Sequence, residues 1–442
     1  MYENDALNYH RLPEAGKLHV VASKPCETQQ DLSLAYTPGV AKPCLLIHDH
    51  PEAVYDYTGK GNTVAVVSDG TAVLGLGNIG PAAGLPVMEG KCVLFKRFAD
   101  IDAMPLCLQN VFTPDGKTDA DKLIEITAAL EPTFGGINLE DIAAPACFKV
   151  ETTLKQRMGI PVFHDDQHGT AIISLAALLN ATRLCGKKLS ELQVVVNGAG
   201  AAGLACANFY ILAGVQRENI VICDRQGVVS QQNASNAAQL ALATDRDCRT
   251  LAEAIRGADF FLGCSAGNCV TTQMIASMNR NAIVFAMANP VPEIMPDLAI
   301  QAGAFVVGTG RTDFPNQINN VLGFPGIFRG ALDVRASDIT TEMKLAASFA
   351  LAEIAGQEIP ADCLNTLQAA YPADAAAGIF KGQNPLKASY VIPKPFDARV
   401  VPYVARKVAE AAMRTGIARC QITDLDKYEA AVSQRIRQRQ VC

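Results

Sequence analysis

Two pairs of adjacent acids stand in otherwise apolar runs: Glu140-Asp141 in GGINLEDIAAP and Asp165-Asp166 in IPVFHDDQHGT. Three carboxylates meeting at one point, with water completing the shell, make a hard, oxygen-rich site suited to Mg2+ or Mn2+. Ile137 and Leu139 alternate with Asn138 and Glu140, so the first run reads as a strand. Neighbouring side chains on a regular strand face opposite ways. Glu140 and Asp141 therefore share an ion only if the strand ends or bends there, which Pro145 favours. On spacing alone, the competing reading of any single acid is a cap or a surface pair, and Asp165 or Asp166 ahead of a helix is a natural N-cap. His164 and His168 lie four apart but not as HExxH. The helix is expected to begin only near Gly169, so they are not read as a metal pair.

A second constellation is Gly198-Ala199-Gly200-Ala201-Ala202-Gly203, which follows a strand-like run and opens a helix. In such a motif the first glycine permits a tight turn, the second lets the backbone approach a pyrophosphate, and the third lets helix and strand pack closely. The helix N-terminus offers free N–H groups to the phosphates. A further strand ends at Asp224, 26 residues after Gly198, where a carboxylate can accept from the ribose 2′-hydroxyl of NAD. Arg225 follows directly and can pair with the 2′-phosphate of NADP, or simply be a solvated charge. The competing reading of the whole motif is a glycine-rich turn that binds nothing.

The elements that must position these groups divide the chain in two. Thr63–Ser68 (TVAVVS) reads as a buried strand, Lys91–Phe95 (KCVLF) as another, and Asp121–Leu130 as a helix with Leu123, Ile126 and Leu130 inward. From about residue 165, helical runs alternate with strands at 193–197, 220–224, 260–264, 283–288 and 305–307. Runs apolar on both faces and spaced by helices indicate a doubly wound parallel sheet. The fold class expected is α/β: an N-terminal α/β domain over residues 1–160, a Rossmann-type domain over 161–397, and a C-terminal helical piece over 398–442, a helix followed by a polar tail.

The 442 residues carry a net charge of −6, which argues against a general nucleic-acid or anionic-membrane surface. The 14 cysteines are scattered without a CxxC pair and read as reduced thiols of a cytoplasmic protein. MYENDALNYH lacks an apolar h-region, and the longest apolar stretch, 201–215, is too short to span a bilayer.

At this point the sequence resembles the malic enzymes, especially the short bacterial form and the N-terminal part of longer bacterial enzymes with a phosphotransacetylase-like extension. The resemblance runs from about Leu32 to Asp397 through LSLAYTPGVA, VVSDGTAVLGLGNIG, MEGKCVLFKRFADIDAMP, GINLEDIAAPACF, IPVFHDDQHGTAI, NGAGAAG, MANPVPEI, FPNQINNVLGFPGIFRGALDV and VIPKPFD. It implies oxidative decarboxylation of L-malate to pyruvate with NADP or NAD and Mg2+ or Mn2+; NADP with weaker NAD use is expected, since the short-form relatives lean that way. The resemblance puts the catalytic pair on Tyr36 and Lys91, and the metal on Glu140, Asp141 and Asp166. Cofactor contacts fall on Gly198, Gly200, Ala201, Ala202, Gly203, Asp224, Arg225 and Asn289. Substrate contacts fall on Asn289, Asn320 (with Asn319 beside it) and Asp165. Lys91 is expected to have a lowered pKa and to act as base, with Tyr36 the acid. A homodimer or dimer-based assembly is expected, with the segment before Leu32 against a partner copy. One departure stands out: larger relatives carry a malate-binding arginine where this chain has Ala72, so the partner of the second carboxylate is unassigned. The phosphotransacetylase-like extension has no counterpart in the sequence, so regulation by acetyl-CoA through it is not expected. A malolactic or oxaloacetate-decarboxylating enzyme on the same scaffold is the nearest alternative; a non-catalytic nucleotide sensor is a more distant one.

Overall fold

The computed structural model describes residues 2–73, 75–382 and 384–439. Two parallel sheets organise them. The first contains β1 (Thr63–Ser68), β2 (Asp102–Cys107), β3 (Gly136–Leu139) and β4 (Val162–His164), in the order β2-β1-β3-β4. The second contains β5 (Val194–Asn197), β6 (Ile220–Asp224), β7 (Gly227–Val228), β8 (Phe260–Gly263), β9 (Ala282–Ala286) and β10 (Ala304–Thr309). Its order is β10-β9-β8-β5-β6-β7, parallel throughout except for the β6–β7 hairpin. The chain leaves β5 toward β6 on one side and returns to β8 on the other. That reversal opens a crevice at the carboxyl end of β5, where doubly wound sheets bind nucleotides.

The strands in the second half stand where their apolar runs place them. In the first half, Lys91–Phe95 is not a strand but the middle of the helix Pro81–Ala99. Met88, Cys92, Phe95 and Ala99 are fully buried at helical spacing. A five-residue apolar run is compatible with either period, and the longer stripe decides. Helix Ala120–Ala128 forms as expected, but it buries Leu123, Ile124 and Thr127 and leaves Ile126 outward.

The helix Asp165–Cys185 starts four residues earlier than Gly169, directly after β4, and is buried along most of its length. It packs against helices Ala201–Leu212 and Thr341–Gly356. One apolar cluster runs from Val64 and Phe163 through Ile172 and Leu175 to Val194 and Phe260, so the two sheets share a core. Since β4 closes the first sheet at residues 162–164, that layer extends past residue 160. Helix Val400–Arg414 lies against helices Phe324–Asp333 and Thr341–Gly356. The polar tail is itself mostly helix, Leu425–Arg439. Arg435 fastens it to Asp100 (Nε to Oδ2, 3.0 Å) and Asn62 (2.6 Å), a tertiary gain that polarity alone conceals. Among the described residues, no helix is long and apolar enough to cross a membrane.

Candidate active site

The acids sit at the carboxyl ends of two neighbouring parallel strands. Glu140 and Asp141 follow β3; Asp165 and Asp166 follow β4. The strand does end at Leu139, and Asp141 takes a left-handed backbone (φ 55°), which lets two consecutive carboxylates face one point. Oxygens of Glu140, Asp141 and Asp166 lie within 4.8 Å of one another. The Asp141 N–H donates to Asp166 Oδ2 at 2.7 Å, and Asn138 Nδ2 donates to Glu140 Oε2 at 2.8 Å.

Lys91, halfway along helix Pro81–Ala99, projects into this group. Its Nζ is 2.6 Å from Asp165 Oδ2 and 2.8 Å from Glu140 Oε1, and 4.4 Å from the centroid of the Phe324 ring. Burial alone would lower its pKa, but Asp165 and Glu140 more than reverse that, and the ammonium is held above the ordinary lysine range. The expected lowering is therefore not found while these two carboxylates stand beside it. Burial pushes Glu140 well above the usual carboxylate range; Lys91 opposes this, while Asp166, Asp165 and Asp141 add to it. Four buried or half-buried acids around one ammonium leave an excess of negative charge. An all-oxygen donor set of this kind fits a hard divalent cation held by Glu140, Asp141 and Asp166.

The second sheet reaches this cluster through Asn320. Its Nδ2 donates to Asp165 Oδ2 (3.0 Å) and to the Asp165 carbonyl (3.2 Å), and Thr170 Oγ1 donates to its Oδ1 at 3.3 Å. Neighbouring Asn319 instead caps the next turn through the Val321 N–H. Gly169 makes the junction fit: a β-carbon there would strike Asp165 Oδ1 and come within 2.9 Å of Asn320 Nδ2. Asn289 lies just beyond β9 and touches the glycine loop of the first lobe; a β-carbon on Gly75 would come within 2.7 Å of its carbonyl.

Tyr36 stands apart. It ends helix Gln29–Ala35 and is 69% exposed, and among the described residues it makes no side-chain hydrogen bond to the Lys91 cluster. Ala72 is exposed on the loop after β1, its N–H donating to the Asp141 carbonyl. His164, fully buried, has Nδ1 2.8 Å from Gln167 Nε2. If that amide donates, the ring carries its proton on Nε2, which faces Asp166 Oδ2 at 3.5 Å. His168 pairs with Glu151 instead, so the two histidines do not share a ligand.

At the nucleotide crevice, Gly200 caps helix Ala201–Leu212, and Ala201 and Ala202 form its first turn. A β-carbon on Gly203 would run into the Gly198 carbonyl, and one on Gly198 into Cys264, whereas one on Gly200 would meet open space. That is the division of labour expected of the three glycines. Asp224 ends β6; its Oδ1 accepts the Gln226 N–H at 2.7 Å, turning it partly back onto its own loop. Arg225 is exposed.

Several supporting residues carry no signal in spacing. Asp69 accepts from Thr71 and Thr118 and braces the loop after β1. Glu293 is fully buried and accepts the N–H groups of Ser265 (2.9 Å) and Ala288 (3.0 Å), joining the ends of β8 and β9 next to Asn289. Each also reaches a partner distant in sequence, Thr118 for Asp69 and Ser265 for Glu293, and the only hint was an acid among apolar or small neighbours.

Residues 15–155 match the family model for the malic enzyme N-terminal domain, and residues 167–369 match that for the malic enzyme NAD binding domain. The chain is 50% identical over 431 residues to an NADP-dependent malic enzyme of Escherichia coli, covering 96% of this chain and 54% of that protein. It thus spans about half the length of that curated relative. It is 51% identical over 424 residues to a bifunctional malic/malolactic enzyme of Bacillus subtilis, covering 95% of each. The crystal structure of malic enzyme from Pyrococcus horikoshii superposes with a TM-score of 0.86 at 42% identity, covering all of this chain and 97% of the other.

Proposed function

The chain belongs to the malic enzyme family, and from that premise we propose that it oxidises and decarboxylates L-malate to pyruvate and CO2, reducing NADP or NAD. The observation that carries this reading is the ion-paired Lys91 set among Glu140, Asp141, Asp165 and Asp166, with Asn320 of the other lobe bonded to the same group. Glu140, Asp141 and Asp166 would hold Mg2+ or Mn2+; when bound, the metal supplies Lewis-acid polarisation of the C2 oxygen, and the dinucleotide accepts hydride from C2.

The chain's own residues manage protons and position. Lys91 Nζ takes the proton of the C2 hydroxyl. To do so it must lose the support of the carboxylates beside it, and Glu140 is one of the acids committed to the metal. Asn320 and Asp165 hold the substrate side of the cluster, and Asn289, set against the Gly75 loop, would contact the dinucleotide and substrate when they are bound. Tyr36 is the proposed acid that protonates C3 of the enol product. Because it lies outside the cluster in a single chain, a second copy or a rearrangement of the N-terminal segment must bring it to the substrate. Exclusion of water by closure of the lobes protects the decarboxylating state.

A malolactic outcome, with lactate formed and no net reduced cofactor, is favoured as a second activity by the likeness to the Bacillus subtilis enzyme over 95% of both chains. Steady-state turnover of malate with NADP and with NAD, with and without Mn2+, separates the readings. One reduced cofactor per pyruvate supports oxidative decarboxylation. Lactate without reduced cofactor supports the malolactic reading, and turnover unaffected by exhaustive chelation removes the metal from the scheme.

A further inference from the structure

A cavity of about 230 Å3 lies where helices Ala146–Arg157 and Asp165–Cys185 meet helices Ala201–Leu212 and Thr341–Gly356. Phe148, Leu204, Phe209 and Leu212 give it apolar walls, and Lys344 and His168 line it too. On helix Ala201–Leu212 the lining residues continue to Leu212 at its far end, away from the glycines of the phosphate loop.

Lys344 is 6% exposed, and among the described residues no acceptor lies within hydrogen-bond or ion-pair reach of its ammonium, which stands 5.9 Å from the centroid of the Phe163 ring. The nearby acid, Glu151, is already served. His168 Nε2 is 2.8 Å from Oε1, the His164 N–H donates to Oε1 at 3.3 Å, and Gln167 Nε2 approaches Oε2 at 3.5 Å. The mostly buried Lys344 therefore has its ammonium opening onto the cavity, where an acceptor must come from water or from an occupant. Burial pulls Lys344 down to about 8, which Glu151 only partly opposes. The cavity is smaller than the usual drug-sized pocket, so its occupant is small.

We propose that this cavity binds a small aliphatic carboxylate, its anionic head on Lys344 and its chain against the Phe148, Leu204 and Leu212 wall. A carboxylate provides the acceptors that Lys344 lacks, and the apolar wall favours a short hydrocarbon chain over a fully hydrated anion. The cavity contains none of the residues assigned to malate, metal or dinucleotide, so its occupancy is separable from turnover.

The test is calorimetric titration of the full chain with butyrate, with inorganic phosphate at equal ionic strength as a comparison. The expected result is saturable butyrate binding that weakens by about tenfold or more in Lys344→Met, the loss of one charge-assisted contact. Because a lysine change at a buried position can disturb folding, Ala205→Phe is measured beside it. It fills the cavity while leaving Lys344 in place, and it is also expected to abolish binding. Absence of saturable binding to the unaltered protein, unchanged affinity in both variants, or equal binding of phosphate would each overturn the proposal.

Discussion

Lys91 shows how much of a functional side chain's character comes from residues distant in sequence. Its two carboxylate partners are 49 and 74 positions away, so nothing in its local run distinguishes it from a surface charge. Only the family resemblance singles it out, and resemblance alone also nominates Tyr36, which the chain leaves exposed. The acids were more legible, because two adjacent pairs in apolar context are unusual. With Lys91 as the proton acceptor, Lys91→Ala is expected to lower turnover by about 10²–10⁴-fold, the usual cost of losing a general base, while dinucleotide binding persists. Turnover kinetics with a separate fluorescence titration of the dinucleotide check this; near-normal turnover rejects Lys91 as base. Arg225 bears on cofactor choice in the same way. Asp224 is partly engaged by the Gln226 N–H, and Arg225 is exposed beside it. Arg225→Ala should therefore raise the Michaelis constant for NADP much more than that for NAD, since the lost charge-assisted contacts exist only with the 2′-phosphate. Equal movement of both constants would make Arg225 an ordinary surface charge.

At the scale of elements, the parallel strands of the second half were readable because each is a short apolar run between helices, with β5 leading straight into a glycine motif. The first half was harder. KCVLF has the composition of a strand, yet the buried stripe Met88, Cys92, Phe95 and Ala99 belongs to a 19-residue helix, and only that longer window reveals the period. The end of that helix was also opaque. Asp100 terminates it in a left-handed conformation (φ 50°) and accepts from Lys96 Nζ at 2.7 Å and from Arg435 Nε at 3.0 Å. Burial would raise the Asp100 pKa, but Lys96 and Arg435 outweigh it and hold it below the usual range. A depressed folded-state pKa stabilises the fold above the unfolded value and loses that contribution as pH falls through the folded value. Asp100→Asn keeps a residue that tolerates the left-handed turn but removes the charge. It is expected to cost about 2 kcal/mol at neutral pH, in the range for hydrogen bonds to charged groups. The difference from the unaltered protein should shrink as pH drops below about 4. Urea unfolding across that range measures it, and a pH-independent difference would remove the ionic contribution.

For the whole molecule, the two sheets and the long helix between them share a core, which the N-terminal region meets through Leu18, with Lys17 Nζ donating to the Pro86 carbonyl at 2.6 Å, while much of its apolar surface stays outside. Leu7 (71%), Val20 (88%), Val21 (82%), Leu34 (67%) and Leu45 (64%) are all largely exposed, and Tyr36 stands among them in sequence. Single exposed apolar residues are ordinary, but a run of them across the first fifty positions is the composition of a surface that another chain covers. Among the described residues, the segment before Leu32 holds the short helix Tyr2–Arg11 and the start of helix Gln29–Ala35, and it is too small to build a core of its own. We therefore expect a homodimer, or an assembly of such dimers, in which these residues are buried and Tyr36 is brought to a substrate site. Light scattering at assay concentration should give at least twice the 46.9 kDa of one chain. Val20→Asp combined with Val21→Asp places two charges on the proposed interface without touching Lys91, the acids or the glycine motif. That variant should dissociate and lose malate turnover together, while its far-ultraviolet circular dichroism stays near that of the unaltered protein. A monomer with full turnover, whether the parent chain or the double variant, would show that each chain completes its site alone and that Tyr36 reaches the substrate by movement within one chain.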